Sequence, residues 1–111
     1  MFVSKRENNI KVSIIIPVFN KVEFTQRCIK SIFGNDTEGS ISWEVVVVDN
    51  GSSDGTAAFL EETCQLYNSL RVVTNEENLG FAKACNQGAS WARGEYLLFL
   101  NNDTELSLIH I

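Results

Sequence analysis

Two carboxylates stand where apolar runs end. Asp49 follows Val45 to Val48 in WEVVVVDNGSSDGT, and Asp103 follows Leu97 to Leu100 in YLLFLNNDTE. A carboxylate at the mouth of a buried strand can accept hydrogen bonds from a ligand. It can also hold a hard divalent cation against phosphate oxygens, which would neutralise charge developing on a diphosphate leaving group. Asn50-Gly51 taken alone reads as a hairpin turn. SSDGTAAFLEE opposes that reading, because it continues into a helical pattern rather than a returning strand. Ser52, Ser53 and Asp54 supply capping oxygens and leave helix-terminal N–H groups near the same rim. Taken singly, each loop also reads as ordinary structure: a capped strand-to-helix turn at Asp49, and a polar Asn101-Asn102-Asp103 turn at the end.

Two further loops bear on the site. PVFN, Pro17 to Asn20, follows the apolar run VSIII. It is either a plain strand-ending turn or a place where backbone groups around Pro17 and Phe19 receive a planar base. NLGFAKACNQG opens a third helix, with Asn78 as a cap and Gly80 allowing close approach. Asn86 is the polar exception on a helix of small residues, either satisfied by backbone or turned to a ligand. Lys83 reads as a solvated charge.

Four apolar, β-rich runs alternate with three helical patterns to position these loops. Within Val12 to Phe19 and Trp43 to Asn50, the runs Ile14 to Phe19 and Val45 to Val48 are apolar on successive residues, the mark of strands covered on both faces. Pro17 is expected to end the first strand, since it cannot donate to a ladder. The expected buried stripes are Phe24, Cys28, Ile29, Ile32 and Phe33 on the first helix, stopping at Gly34, and Ala57, Leu60, Cys64 and Tyr67 on the second. The third helix is expected to bury Phe81, Cys85, Ala89 and Ala92. LRVVT is the third strand and EYLLFL the fourth. Strand-helix-strand repeated with right-handed crossovers predicts an α/β fold with an open, mostly parallel Rossmann-like sheet. In such sheets ligands bind beyond the carboxyl ends of the strands, where PVFN, DNGSSDGT and NND all fall.

Composition excludes several classes. A chain of 111 residues with 44% apolar and 21% charged residues has the make-up of one folded domain. A net charge of −5 without any basic run argues against nucleic acid as a partner. No signal peptide opens the chain, and no apolar run is long enough to span a membrane. The three cysteines, Cys28, Cys64 and Cys85, form no CxxC pair and read as packed free thiols of a reducing cytosol.

VSIIIPVFN, VVVVDNGSSDGT, NLGFAKACNQG and GEYLLFLNNDTE occur in the order and spacing of the family 2 glycosyltransferases, which the chain resembles from Val12 to Glu105. The resemblance implies a GT-A fold and sugar transfer from a nucleoside-diphosphate sugar, UDP- or dTDP-linked, to a glycan or lipid-linked acceptor. It places Pro17, Val18, Phe19, Asn20, Asp49 and Asn50 around base and ribose, with Asn86, Asn101 and Asn102 completing the donor site. Asn50 stands where the family often has a second Asp, and its carbonyl can still accept from the N3–H of uracil or thymine. Cys85 replaces an Arg common before Asn86, which removes a cationic contact. Asn101 replaces the first Asp of the family's Asp-X-Asp motif, and Asp103 is its implied Mg2+ or Mn2+ ligand. The NNDT spelling resembles the rhamnosyltransferase-type branch. Inversion at the anomeric carbon is implied, with the general base expected downstream of this chain.

Residues 1–10 are read as an N-terminal extension and residues 11–105 as the nucleotide-sugar-binding part, truncated after the fourth strand. Residues 106–111, LSLIHI, break the family pattern and read like the translation of a transposase-end adapter, so that tail is expected to be non-native. His110, within it, is then no catalytic candidate. The expected location is cytoplasmic, at the inner face of a membrane in the intact protein. Two other readings stand beside this one. A receiver-like signalling domain would use Asp49 as phosphoacceptor, although PVFN lacks the acidic residues expected after its first strand. A non-catalytic nucleotide-binding module would use the same rim. Dinucleotide binding lacks a GxGxxG after the first strand.

Overall fold

The structure is a computed structural model and describes residues 10–34 and 42–102. Expectations that rest on the N-terminal extension, Asp103, Glu105 and the LSLIHI tail lie outside those residues. The elements are β1 (Val12–Val18), α1 (Val22–Gly34), β2 (Trp43–Asn50), α2 (Thr56–Leu66), β3 (Leu70–Asn75), α3 (Phe81–Trp91) and β4 (Tyr96–Phe99). The strands make one sheet in the order β3-β2-β1-β4, and every pairing is parallel.

Continuous apolar sequence and two-sided burial go together here. Ile14, Ile15 and Ile16 of β1 and Val45 to Val48 of β2 are fully buried. Ile14, Ile16, Val18, Val45 and Val47 share a core with Cys28, Ile29 and Ile32 of α1 and Leu60 of α2. On the opposite face α3 approaches so closely that a Cβ on Gly88 would lie 2.4 Å from Ile15 Cγ2 and 3.2 Å from Val48 Cγ2. Gly88→Ala is therefore expected to destabilise the fold by about 1–3 kcal/mol through overpacking. Chemical denaturation of the two proteins measures it, and an unchanged midpoint would show that α3 can lift off the sheet.

Several sequence expectations need correction. β1 does not stop at Pro17 but runs on to Val18. Ile15 O accepts from Leu100 N–H, so Ile15 turns its backbone groups toward β4, and so does Pro17 two residues on. The β4 pairing ends at Phe99 opposite Ile15, so the missing N–H of Pro17 falls where no strand is left to pair. On α1 the buried polar residue is Thr25, while Phe24 is exposed. α2 buries Thr56, Leu60 and Thr63 rather than Ala57 and Tyr67. α3 buries Ala84 and Gly88 in place of Phe81 and Ala92, because close packing on β1 and β2 selects the smallest side chains. Tyr96, Leu97 and Phe99 of β4 are exposed at the sheet edge.

The amino ends of the strands are tied by a buried charge. Glu44, with a side chain 2% exposed, accepts from Ser13 Oγ–H at 2.6 Å and from Arg93 N–H at 2.7 Å. Its other oxygen lies 3.3 Å from Arg71 Nη2 and 3.6 Å from Arg93 Nη2. Arg71 also donates to the carbonyl of Trp91, so the cluster joins β1, β2, β3 and the turn leading from α3 to β4. Cys28, Cys64 and Cys85 form no disulfide, and burial pushes the Cys85 thiol above its ordinary pKa.

Candidate functional site

The strand order has its switch point at β1. The chain leaves β1 toward β2 and β3 on one side, then crosses to β4 on the other. Ligands of open parallel sheets bind in the crevice outside the carboxyl ends at such a point. The rim there is made by Pro17 to Asn20, by Asp49 to Asp54, and by Leu100 to Asn102.

The first two loops are sewn together. Asn20 and Lys21 both adopt left-handed backbone, at φ 55° and 57°. Non-glycine residues pay for that conformation with steric strain, so surrounding bonds must hold it. Asn20 N–H donates to Ser52 Oγ at 2.7 Å, and Asn20 Oδ1 accepts from Ser53 N–H at 2.7 Å and Asp54 N–H at 3.3 Å. Asp54 Oδ2 accepts from Val22 N–H, and its Oδ1 accepts from the N–H and hydroxyl of Thr56. The Thr56 hydroxyl holds the Asp54 carboxyl below its ordinary pKa. Gly55 is the N-cap of α2, so the sequence expectation of a Ser53 or Asp54 cap shifts by a residue: Asp54 binds from just before the cap.

Asp49 is in register with Val18 on β1 and Thr74 on β3. It is 1% exposed, and its Oδ1 accepts from Ser52 N–H at 3.1 Å. Its Oδ2 carries no hydrogen bond among the described residues. Phe19, beside it on the rim, is 45% exposed. Asn50 is buried, with its amide bonded to Asn75, Asn78, Leu79 and Gly80. Asn78 accepts from Gly80 N–H, while Gly80 itself is the N-cap of α3. Gly80 is needed for its φ of 94°, not for close approach, since a Cβ there would meet nothing within 4 Å.

Asn86 lies on the exposed side of α3. Asn101 is exposed, and Asn102 Nδ2 donates to Thr25 Oγ1 at 3.1 Å, which ties the end of β4 to α1. The structure thus brings Pro17 to Asn20, Asp49 and Asn50 to one rim, with Asn101 and Asn102 at its far side. Asp103 is outside the described residues. Among those described, no three His, Cys, Asp or Glu side chains are grouped to hold a metal ion, and Asn101 and Asn102 offer only neutral amides. The described residues do not by themselves form a divalent-cation site.

An all-parallel sheet with loops converging at its switch point defines an open α/β class that binds its ligands at this carboxyl-end rim. Within that class the comparisons are specific. The glycosyl transferase family 2 model matches residues 13–108, and this chain belongs to that family. It is 37% identical over 92 residues to glycosyltransferase AglE of Haloferax volcanii, covering 83% of this chain and 30% of that protein. S. aureus TarS 1–349 in complex with UDP superposes with a TM-score of 0.74 at 32% identity, covering 85% of this chain and 28% of that 1–349 chain. Mannosyltransferase PcManGT of Pyrobaculum calidifontis, in complex with GDP-Man and Mn2+, superposes at 0.75 and 28% identity, over 84% of this chain and 27% of its own. The fold is therefore of the GT-A type, and the chain spans about a third or less of these relatives' length. Family membership sets aside the receiver-like reading. No helix among the described residues is long and apolar enough to cross a membrane.

Proposed function

We propose that this chain forms the donor-binding part of a glycosyltransferase that moves a sugar from a nucleoside-diphosphate sugar to a glycan or lipid-linked acceptor. The observation that carries the reading is the rim itself. Two loops held by Asn20, Ser52, Ser53 and Asp54 present Asp49 and Phe19 at the switch point. UDP in TarS and GDP-Man in PcManGT, both close in fold, support a nucleotide-sugar ligand.

Each residue has a distinct part in this reading. Asp49 Oδ2 accepts from the N3–H of a uracil or thymine, because Asn20 and Asn50 already spend their amides on neighbouring loops. Phe19, with the Pro17 and Val18 backbone, receives the planar base. Asn86, Asn101 and Asn102 line the outer part of the donor site. Asp103 is the residue that would hold Mg2+ or Mn2+. When bound, such a cation neutralises charge on the diphosphate leaving group. Transfer inverts the anomeric carbon, with the acceptor hydroxyl deprotonated by a base outside this chain. The same reading places the protein in the cytoplasm, at the inner face of a membrane.

Calorimetric titration of the chain with UDP, dTDP and GDP, with and without Mn2+, tests it. The expected result is pyrimidine nucleotide binding, strengthened by Mn2+ in the parent and indifferent to Mn2+ in Asp103→Ala. An equal Mn2+ effect in both proteins would remove Asp103 from the site. Failure of every nucleotide to bind would remove the donor reading.

A further inference from the structure

Asn50 was expected to read the base, yet its side chain has no free group. A primary amide offers two donor hydrogens and two acceptor lone pairs. Asn50 Nδ2 donates to Asn78 Oδ1 at 2.9 Å and to the Gly80 carbonyl at 3.2 Å. Its Oδ1 accepts from Leu79 N–H at 3.0 Å and from Asn75 Nδ2 at 3.1 Å. All four positions are filled, which leaves the side chain no group to offer a ligand.

The network continues beyond it. Asn75 is in register with Asn50 across the β2–β3 ladder, which brings the two amides together. Asn75 and Gln87 then exchange a reciprocal pair of bonds at 2.7 and 2.8 Å, so the chain of amides reaches the middle of α3. A separate observation concerns the next residue. Gly51 has φ 84°, and a Cβ there would lie 2.7 to 2.9 Å from backbone atoms of Glu77 and Asn78. The segment from Asn75 to Gly80 is therefore pressed against the end of β2 and fastened there by Asn50.

We propose that Asn50 is a positioning residue: its amide fixes residues 75–80 as a wall beside Asp49 and Gly51, and it touches no nucleotide. The proposal rests on the donor-site reading for what the wall serves, but the wall can be measured without any ligand. An Asp at this position separates the two roles. A carboxylate is a better acceptor for a base N–H, so a base-reading residue would tolerate or welcome it. A wall-holding residue would not, because the carboxylate has no hydrogen to give Asn78 Oδ1 and the Gly80 carbonyl. Asn78 could flip its amide to meet the carboxylate, but Gly80 N–H would then lose its acceptor.

The experiment is residue-resolved amide hydrogen exchange on the full chain, with UDP titrations of the same proteins. Asn50→Asp is expected to lower protection at Gly80 about tenfold while leaving Leu79 protected, since the carboxylate still accepts its N–H. Asn50→Ala is expected to lower both about tenfold. Below about pH 4 the Asp variant should recover part of the protection at Gly80, because the protonated carboxyl regains one of the two lost donor hydrogens, and the Ala variant should not. Gln87→Ala, away from the rim, is expected to lower protection at Leu79 and Gly80 about threefold and to weaken UDP binding with it. Unchanged protection in Asn50→Asp with equal or tighter UDP binding would overturn the proposal and make Asn50 a base reader. If the Asn50 variants do not fold, Gln87→Ala decides: unchanged protection at Leu79 and Gly80 overturns it. Absence of UDP binding by the parent would count against the donor reading alone, since the exchange pattern still shows whether Asn50 holds the wall.

Discussion

Glu44→Ala is expected to lower the unfolding free energy by about 3–5 kcal/mol, the usual cost of removing one partner from a buried ion pair. The loss has several parts. Arg71, only 27% exposed at its side chain, keeps its charge without a counter-ion. Ser13 Oγ–H and Arg93 N–H lose the acceptors they reach at 2.6 and 2.7 Å. Glu44→Gln keeps an oxygen for Ser13 and Arg93 while removing the charge, so it should cost less than the alanine variant. Single domains are stable by about 5–15 kcal/mol, so the alanine variant approaches the threshold of folding. Urea denaturation of the three proteins measures the series. Equal stability across it would mean that the cluster is replaceable by solvent. Nucleotide affinity of any folded Glu44 variant should stay near the parent's, because the cluster lies at the amino ends of the strands and the rim at the carboxyl ends.

Gly51→Ala is expected to damage both fold and site. The left-handed backbone at φ 84° costs an alanine about 1–2 kcal/mol. The new methyl would also meet Glu77 C, Glu77 Cα and Asn78 N at 2.7 to 2.9 Å, and displacing backbone adds about 1–3 kcal/mol. The displaced segment is the one fastened to Asn50, so nucleotide affinity should fall along with the melting temperature. Gly55→Ala is the control, since a Cβ there meets nothing within 4 Å and its φ is −82°. Thermal unfolding combined with UDP titration separates the cases. A Gly51→Ala protein that is destabilised but binds UDP normally would show that the segment from Asn75 to Gly80 is not part of the site.

The parallel sheet was legible because VSIII and WEVVVV carry their burial in consecutive residues, a pattern that one-sided strands do not show. The carboxyl-end rim followed from the connectivity, and Asp49 from its place after such a run. Helix faces were read less well. Hydrophobicity pointed to Phe81 and Ala92 on α3, but the distance to the sheet admits only Ala84 and Gly88. Pro17 misled because its effect on a strand depends on whether a neighbour is still present on that side. The amides of Asn20 and Asn50 were visible as polar groups at the right loops. What they bond to was not, since their partners Ser53 and Asn78 lie 33 and 28 residues away in sequence. Glu44 escaped notice for the same reason: a single acidic residue opening a strand says nothing of Arg71 or Arg93.

The central claim is that the rim formed by β1 and β2 receives a nucleotide, and amide chemical-shift mapping with UDP and Mg2+ tests it most directly. Perturbations are expected to concentrate at Val18 to Asn20 and Asp49 to Ser52, with smaller ones at Leu79 and Gly80. Perturbations confined instead to the groove of about 550 Å³ between α1 and α2, at Phe33, Phe59 and Tyr67, would contradict it.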